Sequence, residues 1–79
     1  MIFSEKLQLL RKSKGFTQEE LAEKLNVSRQ AVAKWEAGRA YPDVMNLIQI
    51  SDMMNVTVDY LVKDRECALT LQKREDNEF

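Results

Sequence analysis

Histidine is absent from the 79-residue sequence, and cysteine occurs once, at Cys67. One cysteine cannot form a disulfide within the chain, and the usual zinc ligand sets require histidines or a cluster of cysteines. We therefore expect the fold to contain no metal and no other cofactor. The sequence also offers no nucleophile–base pair and no phosphate-binding loop, so we predict that the protein is not an enzyme.

Long apolar runs are missing as well. No stretch approaches the roughly 20 consecutive apolar residues that a transmembrane helix needs. Met1, Ile2 and Phe3 lead directly into charged positions, which is unlike a signal peptide. These observations predict a cytoplasmic protein that has no membrane partner.

An excess of positive charge, which is common among nucleic-acid-binding proteins, is also lacking. The chain has 12 Lys and Arg against 13 Asp and Glu, which gives a net charge of -1. Residues 1–63 carry nine basic and eight acidic side chains, whereas residues 64–79 carry three and five. Any affinity for DNA must therefore come from the local placement of positive charge.

The chain has few obligatory breaks, because proline occurs once and glycine twice. Between short polar segments, apolar residues recur at helical spacing, and this periodicity predicts five helices. Small polar residues stand where the second to fifth helices should begin, and they are the predicted N-caps. These caps are Thr17, Ser28, Asp43 and Thr57. The predicted inward face of the fourth helix consists of Leu47, Ile48, Ser51 and Met54.

Two short segments share one local pattern, Asn26-Val27-Ser28 and Asn55-Val56-Thr57. Asparagine tolerates the left-handed backbone conformation that closes a helix. The serine or threonine that follows can cap the next helix. Each segment therefore predicts a tight corner between two helices.

Residues 17–36 combine a helix of about two turns, a short corner and a second capped helix. This is the arrangement of a helix-turn-helix, in which the later helix enters the major groove of DNA. Ala22 is small where the two helices should cross, and Trp35 is expected to anchor the later helix to the core. The opposite face of that helix carries Arg29, Gln30, Ala33 and Lys34.

This ordered series of residues resembles the Cro/C1-type (XRE-like) helix-turn-helix family of phage repressors. The residues that carry the resemblance within positions 4–63 are Leu10, Arg11, Gly15, Thr17, Gln18, Leu21, Ala22, Val27, Ser28, Trp35, Glu36, Gly38, Pro42, Val58, Asp59, Tyr60 and Leu61. The resemblance implies an all-α, compact five-helix lambda-repressor-like DNA-binding domain at residues 1–63. A short C-terminal tail at residues 64–79 follows, for which dimerisation is our hypothesis.

The resemblance also implies a transcriptional regulator, in our interpretation a repressor, that binds a palindromic double-stranded DNA operator as a homodimer. Its recognition helix, residues 28–36, would read bases through Ser28, Arg29, Gln30 and Lys34. The chemistry of these side chains agrees independently. Arginine can grip guanine O6 and N7, and glutamine can grip adenine N6 and N7.

Two further sets of roles follow from the family. Gln18, at the start of the second helix, would contact a phosphate, and so would Arg39 in the loop after the recognition helix. Arg11 and Glu36 would form a structural ion pair. Free N–H groups at a helix amino end are suited to phosphate, which supports the role of Gln18.

Two kinds of alternative remain open, namely other roles for a protein with this DNA-binding fold and a role that does not involve DNA. The same fold serves antitoxins and controller proteins, and the chain could be the N-terminal piece of a longer sensor. The acidic faces of the second helix and the tail also suit a protein-interaction module that does not read DNA and has an unidentified protein partner. Outward Arg29, Gln30 and Lys34 favour DNA.

The tail has a weaker pattern than the rest of the chain. Alternation over residues 67–72 indicates a short strand, with a weak helix as an equal alternative. We expect the dimer surface to combine the fifth helix with this tail. Its main residues would be Tyr60, Leu69 and Leu71.

Overall fold

The structure of the chain is a computed structural model, which describes residues 1–63. The described chain forms α1 (Phe3–Ser13), α2 (Gln18–Leu25), α3 (Arg29–Glu36), α4 (Val44–Met54) and α5 (Val58–Val62). No strand occurs within residues 1–63, and none of the helices there is long and apolar enough to cross a membrane. The five predicted helices and the all-α class are thus confirmed. The strand or helix considered for residues 67–72 lies outside the described residues.

The four predicted N-caps are all observed. Thr17 and Glu20 form a reciprocal capping box, because the Thr17 hydroxyl accepts from the Glu20 amide at 3.0 Å and the Glu20 carboxylate accepts from the Thr17 amide at 2.8 Å. The other caps accept a single backbone hydrogen bond each, and they are Ser28, Asp43 and Thr57. These bonds satisfy amides that a helix leaves unpaired in its first turn, and so they fix where α2 to α5 begin.

Both asparagine corners adopt the left-handed conformation, with φ 61° at Asn26 and φ 58° at Asn55. Beyond each asparagine, a valine amide turns back to the preceding helix. Val27 donates to the carbonyl of Ala22 at 3.0 Å, and Val56 donates to the carbonyl of Ser51 at 3.0 Å. The chain therefore changes direction within two residues, which closes one helix and aims the next.

The core is a single cluster of buried apolar side chains drawn from all five helices. It comprises Phe3, Leu7, Leu21, Ala22, Leu25, Val32, Trp35, Leu47, Ile50, Met54 and Leu61. Leu7, Leu21, Val32, Ile50 and Leu61 are fully removed from solvent. Because burial of apolar area is the main stabilising contribution, this cluster holds the α2–α3 unit against α1 and α4.

The predicted inward face of α4 was wrong at one position. Ile48 is 41% exposed, whereas Ile50 has no exposure and belongs to the core. Leu47, Ile50, Ser51 and Met54 are spaced by three and four residues, which is the period of one helix face. Ile48 lies about 100° around the helix from Leu47 and so points away from the core.

Lys6 is a buried cation that the sequence reading did not identify. Its side chain is 3% exposed, and its ammonium group donates to the backbone carbonyls of Tyr60 and Lys63. The same group lies 4.6 Å from the centroid of the Tyr60 ring. Cations favour the carboxyl end of a helix, where carbonyls lack partners. Lys6 therefore ties the first turns of α1 to the end of α5.

Candidate nucleic-acid interface

The outer face of α3 is polar and its inner face is anchored in the core. Val32 has no exposure and Trp35 is 5% exposed, so these two side chains fix the rotation of the helix. Arg29, Gln30 and Lys34 are exposed on the other side. A helix held in this way presents side chains at a fixed angle, which is the requirement for entering a groove of DNA.

Ser28 precedes this helix and is occupied as a cap. Its hydroxyl accepts from the Ala31 amide at 3.1 Å, although the residue itself is exposed. A hydroxyl retains donor capacity while it accepts a hydrogen bond. Ser28 can therefore serve as the cap and still donate to an acceptor outside the protein.

The loop after α3 turns back on the helix. Gly38 has φ 76°, a conformation that costs glycine little, and the amide of Arg39 donates to the carbonyl of Lys34 at 2.9 Å. Arg39 is exposed. The backbone of Arg39 is thus held beside the last turn of α3, next to Lys34, which is predicted to read bases.

A buried ion pair lies beneath α3. The Nε of Arg11 lies 2.7 Å from Oε2 of Glu36, and the two side chains are 11% and 5% exposed. Arg11 also donates through Nη2 to Oε1 of Glu36 at 3.1 Å and through Nη1 to the carbonyl of Phe16 at 2.7 Å. The structure thus brings Arg11 and Glu36 together and attaches the end of α3 to α1.

Gln18 joins this pair to the exposed face, which the sequence reading did not anticipate. It is the first residue of α2 and is half-buried. Its Nε2 donates to Oε1 of Glu36 at 3.0 Å, and its Oε1 accepts from Nη1 of Arg29 at 3.5 Å. No local signal reveals these contacts, because the partners lie 18 and 11 residues away in sequence.

The electrostatic balance around the site is mixed. Arg29, Lys34 and Arg39 contribute positive charge from α3 and the loop after it, but Glu19 and Glu20 occupy the first turn of α2. The carboxylates favour the positive end of that helix, and they also oppose a nearby phosphate. Within the described part of the chain, no group of three His, Cys, Asp or Glu side chains is arranged to hold a metal ion.

A family model of helix-turn-helix proteins matches residues 7–61, which is well over half of the chain. The chain belongs to the Cro/C1-type helix-turn-helix family. The matched range begins at a buried residue of α1 and ends at a buried residue of α5. It therefore contains both asparagine corners and the whole outer face of α3.

Two relatives illustrate the range of helix-turn-helix proteins that the chain is similar to. It is 49% identical over 76 residues to the HTH-type transcriptional activator BcrR of Enterococcus faecalis, which covers 96% of this chain and 37% of BcrR. It is 35% identical over 72 residues to YonR, an SPbeta prophage-derived HTH-type transcriptional regulator of Bacillus subtilis, with coverage of 91% and 67%. The chain thus spans little more than a third of BcrR.

Among solved structures, the chain is similar to the P22 c2 repressor in complex with a synthetic operator. The TM-score is 0.77 at 28% identity, and the match covers 82% of this chain and 98% of the repressor chain. The lambda-repressor-like fold predicted from the sequence is confirmed by this likeness. The family and these relatives are transcriptional regulators and not enzymes.

Proposed function

We propose that this chain is a sequence-specific, double-stranded DNA-binding transcriptional regulator. One observation carries the proposal, namely the exposed Arg29, Gln30 and Lys34 on a helix that Val32 and Trp35 anchor from behind. Sequence-specific reading requires hydrogen-bonding side chains on a helix of fixed orientation, and α3 has both. A cytoplasmic location follows from this role.

The side chains of α3 differ in what they can recognise. Arg29 suits guanine, whose O6 and N7 match two parallel guanidinium donors, and Gln30 suits adenine through N6 and N7. Lys34 lies about one turn further along the helix and suits guanine or a phosphate. Ser28, at the amino end, is within the same segment and supplies a hydroxyl.

Phosphate contacts would position the domain without reading sequence. We assign them to Gln18 at the amino end of α2 and to Arg39 in the loop after α3. The described domain carries a charge of only +1, from nine basic and eight acidic side chains. Few phosphate contacts are available to such a surface, so one copy should bind DNA weakly.

A homodimer would supply the missing affinity, because the second recognition helix binds at a high effective concentration. Two copies of α3 would enter successive major grooves about 34–36 Å apart on a palindromic operator. We keep α5 and the tail at residues 64–79 as the proposed dimer surface. Tyr60 is 45% exposed on α5, which supports this choice, while Leu69 and Leu71 lie outside the described residues.

Repression is the proposed direction of regulation. A DNA-bound protein represses simply by covering a promoter, whereas activation needs a further productive contact with the transcription machinery. The P22 c2 protein is a repressor by its description and BcrR is an activator, so the two directions both occur among similar proteins. A promoter–reporter fusion with and without the chain tests the direction.

The decisive experiment is the selection of binding sites from random duplex DNA at a fixed salt concentration. We expect an enriched, two-fold symmetric sequence with half-sites separated by one helical turn, about 10 base pairs. Recovery of random sequence, or retention of a protein partner without DNA, would favour the protein-interaction module. Copurification of a toxin would instead identify an antitoxin with the same fold.

Two variants separate base reading from phosphate contact on the selected duplex. Arg29→Ala should relax discrimination at one base pair by about 1–3 kcal/mol. Arg39→Ala should weaken binding to all duplexes alike and reduce the salt slope by about one unit. Lys24→Ala is the matched control, because it removes a cation from the far end of α2, where Lys24 lies over the Phe16 ring. Equal losses on selected and random duplexes for Arg29→Ala would contradict base reading.

A further inference from the structure

A cleft of about 460 Å³ lies between the amino end of α1, the loop after α3 and the end of α5. Its wall is largely apolar and aromatic, and the lining includes Phe3, Trp35, Tyr41 and Val62. The rings of Phe3 and Tyr41 lie against each other, with centroids 4.7 Å apart. Small-molecule sites in proteins are typically concave, mostly apolar and about 300–1,000 Å³ in volume. The cleft therefore has the size and the wall of a site for a small aromatic molecule.

One polar side chain in this wall is buried without a partner. Ser4 lines the cleft and is 8% exposed, and no residue within positions 1–63 forms a hydrogen bond with its hydroxyl. Ser51, the other buried serine in this range, donates to the carbonyl of Ile48 at 2.8 Å. A buried hydroxyl without a partner is unfavourable, and such groups are rare in folded proteins. Ser4 thus offers an unused donor to a molecule in the cleft.

The same cleft has two sources of positive potential. Arg39 lines it, and in the described part of the chain no carboxylate pairs with the Arg39 guanidinium. The amino end of α1 also forms part of the wall, and Ile2, which precedes this helix, has an apolar side chain that cannot cap it. Glu5 lies in the first turn, but its carboxylate accepts from the amide of Ile2 at 3.3 Å. First-turn amides and a guanidinium both favour an anion.

We propose that this cleft is a binding site for a small aromatic carboxylate. The ring of the ligand packs against the aromatic wall. The carboxylate accepts hydrogen bonds from the Ser4 hydroxyl and the Arg39 guanidinium, and hydrogen bonds to an ionised acceptor are stronger than those between neutral groups.

Occupation of the cleft also changes DNA binding, because Arg39 is the residue assigned above to a phosphate. A guanidinium that is bound to a carboxylate has fewer donors and less net charge to offer to the DNA backbone. The ligand is therefore an effector that lowers the affinity for all duplexes alike and leaves base reading by α3 unchanged. This regulatory part rests on the proposed function, whereas binding in the cleft does not.

Trp35 can report on the cleft directly, because it lines the cleft and is the sole tryptophan of the chain. The test titrates the full chain with phenylacetate in the absence of DNA and follows the tryptophan fluorescence. We expect a saturable change in the millimolar range, which suits a ligand of this size. 2-Phenylethanol lacks the carboxylate and acetate lacks the ring, so each should bind about 10-fold more weakly or worse. Equal binding of 2-phenylethanol would mean that the cleft is only an apolar recess, and no saturable change with phenylacetate would overturn the site altogether.

Variants of the two proposed donors locate the bound carboxylate. Ser4→Ala should weaken phenylacetate binding about 10-fold, and it should not lower the midpoint of urea unfolding, because the hydroxyl that it removes has no partner. Ser51→Ala is the matched control at a buried serine and should leave the binding unchanged. Arg39→Ala should also weaken binding about 10-fold, whereas Lys24→Ala, which removes a cation outside the cleft wall, should not. Wild-type binding by both Ser4→Ala and Arg39→Ala would overturn the site.

The effect on DNA is measured with the duplex that the chain selects from the random pool and with a scrambled duplex, at one ionic strength kept constant with acetate. Saturating phenylacetate should lower both affinities by about 3-fold to 10-fold, as expected for the loss of one phosphate contact, and Arg39→Ala should abolish this response. If phenylacetate binds and both affinities stay unchanged, the regulatory part is overturned. If the chain does not distinguish the two duplexes, the proposed function fails, and the fluorescence titration still decides whether the cleft is a site.

Discussion

The chain turns through the same corner twice, between α2 and α3 and between α4 and α5. Asn26 and Asn55 have backbone angles within a few degrees of each other, with φ 61° and 58° and ψ 44° at both. Ser28 and Thr57 then cap the next helix with hydrogen bonds of 3.1 and 3.0 Å. The two corners therefore share one backbone conformation and one type of cap.

The helices that leave these corners differ in length and in support. α3 has eight residues and ends on the buried Glu36, whereas α5 has five and ends at carbonyls that Lys6 caps. α3 exposes two cations and an amide, and α5 exposes Tyr60 and Asp59. The corner thus decides where a helix points, and the residues beyond it decide what the helix can contact.

We expect the largest loss of stability when the Arg11–Glu36 ion pair, which holds the end of α3, is broken. Glu36→Ala leaves the buried Arg11 without its partner and should cost about 3–5 kcal/mol. A core of this size supplies only about 3–5 kcal/mol in total, so the variant should be largely unfolded at 25 °C by circular dichroism at 222 nm. Arg11→Met with Glu36→Leu removes both charges and should recover most of the helical signal. A fully folded Glu36→Ala variant would contradict this account.

The Lys6 ammonium group, which caps the end of α5, should contribute less to stability than the Arg11–Glu36 ion pair does. Lys6→Met keeps the length of the side chain but removes the ammonium group, and hydrogen bonds to charged groups contribute about 1.5–3 kcal/mol. Urea unfolding should show a lower midpoint at an unchanged slope. Lys12→Met, an exposed position on the same helix, is the control and should change the midpoint little. Equal losses in the two variants would mean that Lys6 contributes only as a helical residue.

The two corners should be equivalent in stability and different in function. Asn26→Ala and Asn55→Ala each place a side chain without local hydrogen bonding in a left-handed conformation, at a cost of about 1–2 kcal/mol. Glycine at either position should restore the stability, because it adopts this conformation freely. Under conditions where both alanine variants are folded and dimeric, only Asn26→Ala should weaken binding to the selected duplex. Equal loss of binding would show that the second corner also contributes to the interface.

The caps should give the smallest changes. Ser28→Ala and Thr57→Ala each leave one first-turn amide unpaired and should cost about 1 kcal/mol in urea unfolding. Ser28→Ala should also weaken DNA binding, since α3 then begins less firmly at Arg29, while Thr57→Ala should not weaken it at protein concentrations where the variant is dimeric. Substitution by glycine is the control at each site and should cost only a few tenths of a kcal/mol.

The corners and caps were predictable because the interacting groups lie within a few residues of each other. Thr17 and Glu20, or Val27 and Ala22, meet whenever a helix begins or ends there, so the residue types alone indicate the geometry. The fifth helix was found from the same signal at Thr57. Local chemistry thus carried nearly all of the five-helix fold.

The inward-facing side of α4 and the long-range contacts of polar side chains were harder to predict from the sequence. Apolar residues crowd α4 at 47, 48, 50, 53 and 54, so more than one inward face was consistent with the sequence and Ile48 was chosen over Ile50. Lys6 meets Tyr60 across 54 positions, and Gln18 meets Glu36 across 18. Nothing in the local pattern of a lysine or a glutamine indicates such a partner, and the Arg11–Glu36 pair was expected only through the family resemblance.

The Lys6 contact has a topological consequence. It brings the first turn of α1 within one side chain of Lys63, so the series of five described helices begins and ends at neighbouring points. Domains with adjacent ends tolerate circular permutation and insertion into loops of other proteins. A short linker joining residue 63 to residue 2, with the chain reopened in the loop between α3 and α4, should therefore preserve the core and leave the outer face of α3 uncovered.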